Sequence, residues 1–369
     1  MDDAYPRLVC NPSWRTPRHE KTVNLALQGG GAHGAFTWGV LDRLFEDGRI
    51  WVSAISGASA GAMNAVVAAS GFQEGGAEGA RAKLAEFWRA VARAGAASPI
   101  RRSPLAVLMG DWSLAGSPSY IAFDLMSRLA SPYDLNPYNL NPLRDVLSRV
   151  VDFDALASCS QMRVHVSATN VETGRVKVFS DGAITLDAVM ASACLPFVFQ
   201  AVEIEGEWFW DGGYMGNPPL FPAFNQSGAD DIVIVQINPV LREGPPKRAQ
   251  DILNRVNEIT FNSALIHELR SIEMVNGLLR TGRLAGGRRY REKFIHIIEA
   301  RKRMRPLDAS SKLNAEWAFL RHLFEIGREA ADRWIGAHYD CLGTRSSVDL
   351  RELVTGERVA REHAQRAAE

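Results

Sequence analysis

Three short stretches of the chain combine residue types and spacings that suit nucleophilic chemistry. In the first, "SGASAGAMN", Gly57, Ser59 and Gly61 match the pattern G-x-S-x-G. This pattern places a serine on a tight turn between a strand and a helix, where the flanking glycines relieve crowding. The positive end of the helix dipole there favours a developing alkoxide. The spacing therefore predicts Ser59 as a nucleophile on an elbow that Gly57 and Gly61 allow to form.

The second stretch, "LALQGGGAHGAFTWGVL" at residues 25–41, places a glycine-rich loop after an apolar run. Gly29, Gly31 and Gly34 fit the G-x-G-x-x-G spacing of a dinucleotide-binding fold. That fold also needs an acidic residue about 20 residues later, at the end of the second strand, to hold the ribose. The second strand here ends in "AISGASAG", so a serine elbow occupies the place of the expected acid.

An oxyanion site explains the same loop better than a pyrophosphate site. Ligands of open α/β sheets bind at the carboxyl ends of the strands, so the loop and Ser59 are expected at one edge. Backbone N–H groups of the loop can then bind the negative oxygen that forms on a substrate attacked by Ser59. The predicted oxyanion hole comprises Gly29, Gly30, Gly31, Ala32 and Gly34, with the N–H groups of residues 30–32 as donors.

The third stretch, "WFWDGGYMGNPPL", supplies a base for the serine. An aromatic strand leads to Asp211, and Gly212 and Gly213 then open a turn. An aspartate held there by loop N–H groups can take a proton directly from a serine in contact with it, although D-G-G alone is more often an ordinary turn. Of the eight histidines, His33 lies in the glycine loop itself, and none of the others lies in the kind of glycine-rich turn that carries the histidine of a Ser–His–Asp triad.

Taken in order, "GGGAHG", "GASAG" and "DGG" resemble the motifs of the patatin-like phospholipase family. The resemblance extends to "ASACLPFVFQAVEIEGEWFWDGGYMGNPPL" and covers roughly residues 22–240. It implies a Ser–Asp dyad without a catalytic histidine, with Ser59 as nucleophile, Asp211 as base and residues 29–34 as the oxyanion loop. It also implies that no metal or organic cofactor is needed. The family usually has Arg or Lys before the last glycine of the loop, where this chain has His33.

The hydrophobic pattern predicts an α/β fold that can position these residues. Its core is an open, mostly parallel sheet with helices on both faces, a three-layer α/β/α arrangement with a helical cap insertion and a helical C-terminal region. The predicted strands and hairpins lie at 22–27, 51–55, 162–179, 203–210, 231–237 and 294–298. The predicted helices lie at 60–69, 76–94, 186–193, 249–280 and 313–334, with one more after the glycine loop, ending at Gly48.

The expected organisation is one continuous domain. It has an N-terminal tail at 1–20 and a patatin-like catalytic domain at 21–240, including a cap at about 97–150. A C-terminal extension at 241–345 is expected to pack on the same domain, followed by a charged tail at 346–369.

Composition narrows the class of protein. The 42 Lys plus Arg balance 42 Asp plus Glu, so nothing global argues for a nucleic-acid partner. The four cysteines form no C-x-x-C pair, which favours a reducing compartment over a zinc or redox site. The N-terminus lacks the apolar core of a signal peptide, and the uncharged run at 54–72 suits a strand end and core helix better than a membrane span. These features predict a cytoplasmic protein.

The predicted partner is a lipid or another acyl ester. Ten Lys or Arg residues between Arg280 and Arg305, against Glu292 and Glu299, could touch an anionic membrane, although a solvated basic surface paired with acids elsewhere is the favoured explanation. Association with a membrane surface or a lipid granule therefore stays open, as does the oligomeric state, a homodimer included.

Three other functions remain open from the sequence alone. A dinucleotide-binding oxidoreductase accounts for the glycine loop but not for Ser59. An α/β-hydrolase with a Ser–His–Asp triad accounts for the elbow, although its serine normally follows a later strand of the sheet. A non-catalytic lipid-surface or granule-associated protein with this fold is the third.

Overall fold

An eight-stranded sheet organises the chain, for which the computed structural model describes residues 20–158, 162–222, 229–242, 244–287 and 290–356. The strands are β1 (Lys21–Leu27), β2 (Ile50–Gly57), β3 (Arg163–Asn170), β4 (Val176–Ser180), β5 (Val202–Ile204), β6 (Glu207–Asp211), β7 (Asp231–Val235) and β8 (Phe294–Ile298). Five of them run parallel in the order β3-β2-β1-β7-β8. β4 and β6 pair antiparallel with β3, and β5 pairs antiparallel with β6.

The described helices connect these strands. They are α1 (Gly34–Asp47), α2 (Ala60–Gly95), α3 (Pro104–Leu108), α4 (Pro118–Leu129), α5 (Pro132–Leu135), α6 (Pro142–Val150), α7 (Phe153–Ser158), α8 (Leu186–Ser192), α9 (Ala249–Arg280), α10 (Arg301–Met304), α11 (Trp317–His338) and α12 (Leu350–Thr355). Short 3-10 turns lie at Gly31–His33, Gly212–Tyr214 and Ser310–Leu313.

Alternate residues of the central strands face two apolar cores. In β7, Val233 and Val235 join the larger core, which contains α1, α2 and α11, whereas Ile232 and Ile234 join a smaller one. That second core is covered by α9 and by Leu350 of α12. Helices therefore lie on both faces of a mostly parallel sheet, and the predicted fold class is confirmed.

Most predicted elements are confirmed, and one is joined to its neighbour. The helices expected at 60–69 and 76–94 form the single element α2, which is interrupted by non-helical backbone at Gly75 and Gly76. A one-turn helix at Ser310–Leu313 precedes α11, so the helix expected at 313–334 begins at Trp317 and continues to His338.

The predicted cap divides into an exposed part and a packed part. α3 and α4 contain no buried residue, whereas Val146, Leu147 and Val150 of α6 enter the main core. Each of the four helices from α3 to α6 begins at a proline, a residue whose missing N–H and fixed φ suit the first helical position. The N-terminal tail at 1–19 and the last residues, 357–369, lie outside the described residues.

Candidate active site

Ser59 lies on a strained turn between β2 and α2. Its φ and ψ are 53° and −125°, a backbone conformation that is costly for a residue with a Cβ. Close packing explains the glycines beside it: a Cβ on Gly61 would collide with the carbonyl oxygen of Leu27, and one on Gly57 would lie 2.5 Å from the carbonyl carbon of Gly61. Ser59 itself is half-buried and immediately precedes α2.

β2 and β6 bring Ser59 and Asp211 together because both strands pair with β3. Gly57, at the end of β2, pairs with Val166, and Asp211, at the end of β6, pairs with Ala168. β4 occupies the other edge of β3 over this stretch. β2 and β6 therefore meet end to end along one edge of β3, which places the serine elbow beside the Asp211 turn.

Asp211 has a buried carboxyl group whose two oxygens differ in their hydrogen bonding. Its Oδ1 accepts a 2.7 Å hydrogen bond from the N–H of Gly213, within the turn that Gly212 begins. Burial raises the pKa of Asp211 to about 6, against the lowering effects of the Gly213 and Ser59 hydrogen bonds and of the Lys312 charge. Its buried Oδ2 has no partner that meets full hydrogen-bond geometry among the described residues. The Ser59 hydroxyl thus makes a loose contact with the carboxyl group, which is common at a general base before substrate binds.

The glycine loop packs directly against the serine elbow. A Cβ on Gly29 would lie 2.7 Å from the Cβ of Ser59. Gly31 has a φ of 57°, and a Cβ there would collide with the carbonyl oxygen of Lys312. Gly34 allows a similarly close approach to Ala60 at the start of α2. The loop is therefore held between the elbow on one side and the Lys312 segment on the other.

Three N–H groups of this loop are free to bind an anion. Within the described parts of the chain, the N–H groups of residues 30–32 donate no hydrogen bond. The N–H of Gly29 donates to Oδ1 of Asn217 at 2.6 Å, and that of Gly34 donates to carbonyls of its own turn. Of the five predicted members of the oxyanion hole, Gly29 and Gly34 therefore shape the loop, while residues 30–32 present free donors.

A network of buried amide side chains fixes the position of the glycine loop. The fully buried Gln28 donates from Nε2 to the carbonyl of Asn217 and to Oδ1 of Asn262. Its Oε1 accepts a 2.8 Å hydrogen bond from the N–H of Asn238. Nδ2 of Asn238 then donates to the carbonyl oxygen of Gly29 at 2.9 Å. These bonds tie the loop to β7, to α9 and to the segment that follows Asp211.

The histidines do not complete a triad in the described structure. Neither Ser59 nor Asp211 hydrogen-bonds a histidine side chain within the described residues, and the histidines that make side-chain hydrogen bonds make them elsewhere: His33 to Ser311, His165 to Ser180 and His296 to Asp231. Burial, aided by the Lys312 charge, lowers the pKa of His33 to about 3. His33 is therefore neutral at physiological pH.

The described residues contain neither a metal-binding cluster nor a membrane-spanning helix. That part of the chain contains no group of three or more His, Cys, Asp or Glu arranged to hold a metal ion. It also contains no helix with the length and apolar character required to cross a bilayer.

Sequence reasoning missed the polar residues that support the site. Gln28, Asn238 and Lys312 are far apart in the chain, and nothing in their local sequence marks them. Ser192 lies in the stretch "ASACLPF", which resembles the family, but its bond to the N–H of Ser59 depends on the tertiary fold. Among these supporting residues, only Asn217 could have been suspected from its local sequence, because it begins the "NPP" that follows the Asp211 turn.

A family model described as patatin-like phospholipase matches residues 25–224, more than half of the 369-residue chain. The chain belongs to this family.

Similarity to individual known proteins is low. VipD from Legionella pneumophila is 15% identical with a TM-score of 0.34, and the match covers 84% of this chain and 67% of that one. A chain of the ExoU–SpcU complex from the type III secretion system of Pseudomonas aeruginosa is 16% identical with a TM-score of 0.34, and the match covers 86% of this chain but only 52% of the other. No curated protein matches the chain.

Proposed function

We propose that the protein is a serine lipid acyl hydrolase that works through a Ser59–Asp211 dyad. One observation carries the proposal: the strained serine elbow, the buried carboxyl group and the free loop N–H groups meet at one edge of the sheet. A pKa of about 6 makes Asp211 a stronger base than an ordinary aspartate while leaving it ionised at neutral pH.

In the first half-reaction, Ser59 Oγ bonds to the ester carbonyl carbon as its proton passes to Asp211. Oδ2 is the acceptor, since Oδ1 is held by the N–H of Gly213. The carbonyl oxygen becomes an oxyanion and is stabilised by the N–H groups of residues 30–32. Collapse of this intermediate breaks the bond to the alcohol, which leaves with the proton from Asp211, and an acyl-enzyme remains.

In the second half-reaction, Asp211 takes a proton from water as the water oxygen attacks the acyl-enzyme. The same N–H groups hold the second oxyanion. The carboxylic acid is released as the bond to Ser59 breaks, and the proton on Asp211 returns to Ser59 Oγ. One water is consumed, and the dyad regains its starting protonation.

The cap supports a lipid as substrate. Many of its large apolar side chains are exposed, among them Leu105, Leu108, Met109, Leu129, Tyr138 and Leu140. The cap contacts the segment between α8 and β5, because Nε2 of Gln200 donates to the carbonyl of Asn136 at 2.9 Å. Near the start of this segment, the backbone carbonyl oxygen of Cys194 accepts a hydrogen bond from the N–H of Asp211. An exposed apolar surface connected to the site in this way suits acyl chains.

The predicted membrane contact between Arg280 and Arg305 receives less support. Several described members of this cluster are already ion-paired: Arg280 with Glu273 and Glu292, Arg291 and Lys293 with Asp230, Arg301 with Glu299, and Arg303 with Glu329. Residues 288 and 289 lie outside the described residues. These pairs favour a solvated, charge-balanced surface, and membrane or granule association through the cluster stays a prediction.

A fluorophosphonate probe with mass-spectrometric site mapping tests the proposal. We expect a single label on Ser59, and no label and no esterase activity in Ser59→Ala. Thermal stabilisation of the native protein by NAD or FAD, together with an unlabelled Ser59, would instead favour a dinucleotide site.

A further inference from the structure

The glycine loop has no cation at the position where the family usually carries one. That position is His33, whose Nε2 lies 2.8 Å from Oγ of Ser311 and whose ring is buried. With a pKa of about 3, His33 brings no positive charge to the loop. His33 therefore cannot assist an oxyanion as a cation.

Lys312 packs against this loop. In the sequence it lies in the C-terminal region, beyond the family match at 25–224. Its carbonyl oxygen occupies the space that a Cβ on Gly31 would need. Its Nζ donates a 2.8 Å hydrogen bond to Oδ1 of Asn238 and lies 5.8 Å from the ring centroid of Phe261. Phe261 in turn packs against Gly213, beside Asp211.

Asn238 links the Lys312 ammonium to a predicted oxyanion donor. Its Oδ1 accepts from Lys312, and its Nδ2 donates to the carbonyl oxygen of Gly29. That carbonyl belongs to the same peptide group as the N–H of Gly30. A cation at one end of a hydrogen-bond chain polarises the bonds that follow it, so the Gly30 N–H becomes a stronger donor.

Two acids and one further cation act on the Lys312 ammonium. Glu258 is the acid with the larger effect on the pKa of Lys312, and it already accepts hydrogen bonds from Arg242 and Arg255. Asp211 also attracts the Lys312 charge. Burial and the Arg242 charge lower the pKa of Lys312, whereas the two acids raise it.

We propose that Lys312 is an electrostatic positioning residue of the oxyanion loop, acting through Asn238 on the Gly29–Gly30 peptide in place of the cation that His33 does not provide. The inference rests on the proposed function, since it needs the loop to bind an oxyanion. It assigns part of the site to the C-terminal region, outside the segment that defines the family.

Variants of Lys312 test this with p-nitrophenyl ester turnover and the rate of Ser59 labelling by the fluorophosphonate. Lys312→Met should lower kcat about 10-fold or more, less than the roughly 100-fold loss typical of removing a donor itself. KM should change little, since the charge acts mainly on the transition state. Lys312→Arg should recover most of the loss. Lys293→Met is the control, because Lys293 is a buried lysine that precedes β8, at the opposite end of the strands.

The pH profile separates an electrostatic role from a structural one. The Lys312 charge lowers the pKa of Asp211, so Lys312→Met should move the acid limb of kcat/KM to higher pH, and Lys312→Arg should move it back. Asn238→Ala should lower kcat without moving the limb, since the charge remains. Losses from Lys312→Met and Asn238→Ala should be less than additive.

Two results overturn the inference in different ways. If Ser59→Ala is inactive while Lys312→Met turns over like Lys293→Met, the role of Lys312 is wrong and the proposed function stands. If Ser59→Ala keeps its activity, the proposed function is wrong and the inference falls with it.

Discussion

The backbone N–H of Ser59 donates a 2.9 Å hydrogen bond to Oγ of Ser192, the last residue of α8. Two residues later, the carbonyl oxygen of Cys194 accepts a 2.8 Å hydrogen bond from the N–H of Asp211. One short segment therefore holds the backbone of both members of the proposed dyad. The end of α8 sets their separation as directly as the sheet register does.

Removing the Ser192 hydroxyl should loosen this arrangement. Ser192 is fully buried, so Ser192→Ala leaves the Ser59 N–H without its acceptor, at a cost of about 1–3 kcal/mol. We expect a lower melting temperature and slower labelling of Ser59 by a fluorophosphonate. Ser56→Ala is the matched control, since its buried hydroxyl has no hydrogen-bond partner among the described residues. Equal labelling rates in the two variants would show that Ser192 does not position the nucleophile.

Activity should fall on the acid side with the titration of Asp211. As a base it must be ionised, and its pKa is about 6, so kcat/KM should level off above about pH 7 and fall about tenfold per unit well below pH 6. Tyr214 and Cys194 also lie within electrostatic range of this carboxyl group, but their pKa values are raised, so they stay neutral over this range. A pH–rate profile between pH 4.5 and 8 measures the limb.

A histidine base would give a similar limb, so a His33 variant serves as the control. Burial lowers the pKa of His33 to about 3, so this side chain is neutral across the pH range of the profile. His33→Gln should therefore leave the acid limb near pH 6 in place, whatever it does to the rate. Loss of the limb in folded His33→Gln would return histidine to the mechanism.

Asp211→Asn should stabilise the fold while abolishing turnover. The folded pKa of about 6 lies above the ordinary value of 3.8, so the folded state binds the proton more tightly than the unfolded state. The contribution of Asp211 to stability is therefore highest at low pH and falls as pH rises from about 4 through 6, by on the order of 3 kcal/mol. Melting curves should show the variant above the native protein at pH 8 and level with it at pH 4. A variant that melts lower at pH 8 would contradict this.

Gly31→Ala should damage turnover more than stability alone explains. The new Cβ would meet the carbonyl oxygen of Lys312 and turn the loop donors away, so we expect a loss of about 100-fold in kcat. Gly48→Ala is the control, because Gly48 also has a positive φ, 71°, but has open space around its Cβ position. Steady-state kinetics of the two variants separates the collision from the backbone strain that they share. Similar kcat values would mean that residues 30–32 do not form the oxyanion hole.

The hydrophobic pattern of the sequence predicted most strands and helices, because the spacing of apolar residues differs between the two. β7 and α9 were expected at 231–237 and 249–280 and are found at Asp231–Val235 and Ala249–Arg280. The strand-to-helix turns around Gly29 and Ser59 followed from glycine spacing. Asp211 was predicted as the base because an aromatic strand leads into its turn and because that motif resembles the family, and this role stays a prediction.

What the sequence did not reveal depends on contacts between distant segments. Gln28 sits beside the glycines, yet its partners Asn238 and Asn262 are more than 200 positions away, and no local period records such a bond. One oxygen of the Asp211 carboxyl group lacks a hydrogen-bond partner among the described residues, and the pKa of the group is raised. Both properties depend on burial, which arises from the pairing of β6 with β3 in the folded protein. Lys312 was passed over for the same reason.

The C-terminal region has a bearing on how such proteins can diverge. β8 pairs with β7, and Phe319, Leu320 and Leu323 of α11 fill the main core, so a chain cut after residue 240 would expose a sheet edge and open that core. The same region presses Lys312 onto the glycine loop. Recombination that exchanges this region between relatives would therefore alter the sheet edge, the main core and the packing against the glycine loop in one event. Substitutions in α11 act on that core, and substitutions in the Lys312 turn act on the glycine loop.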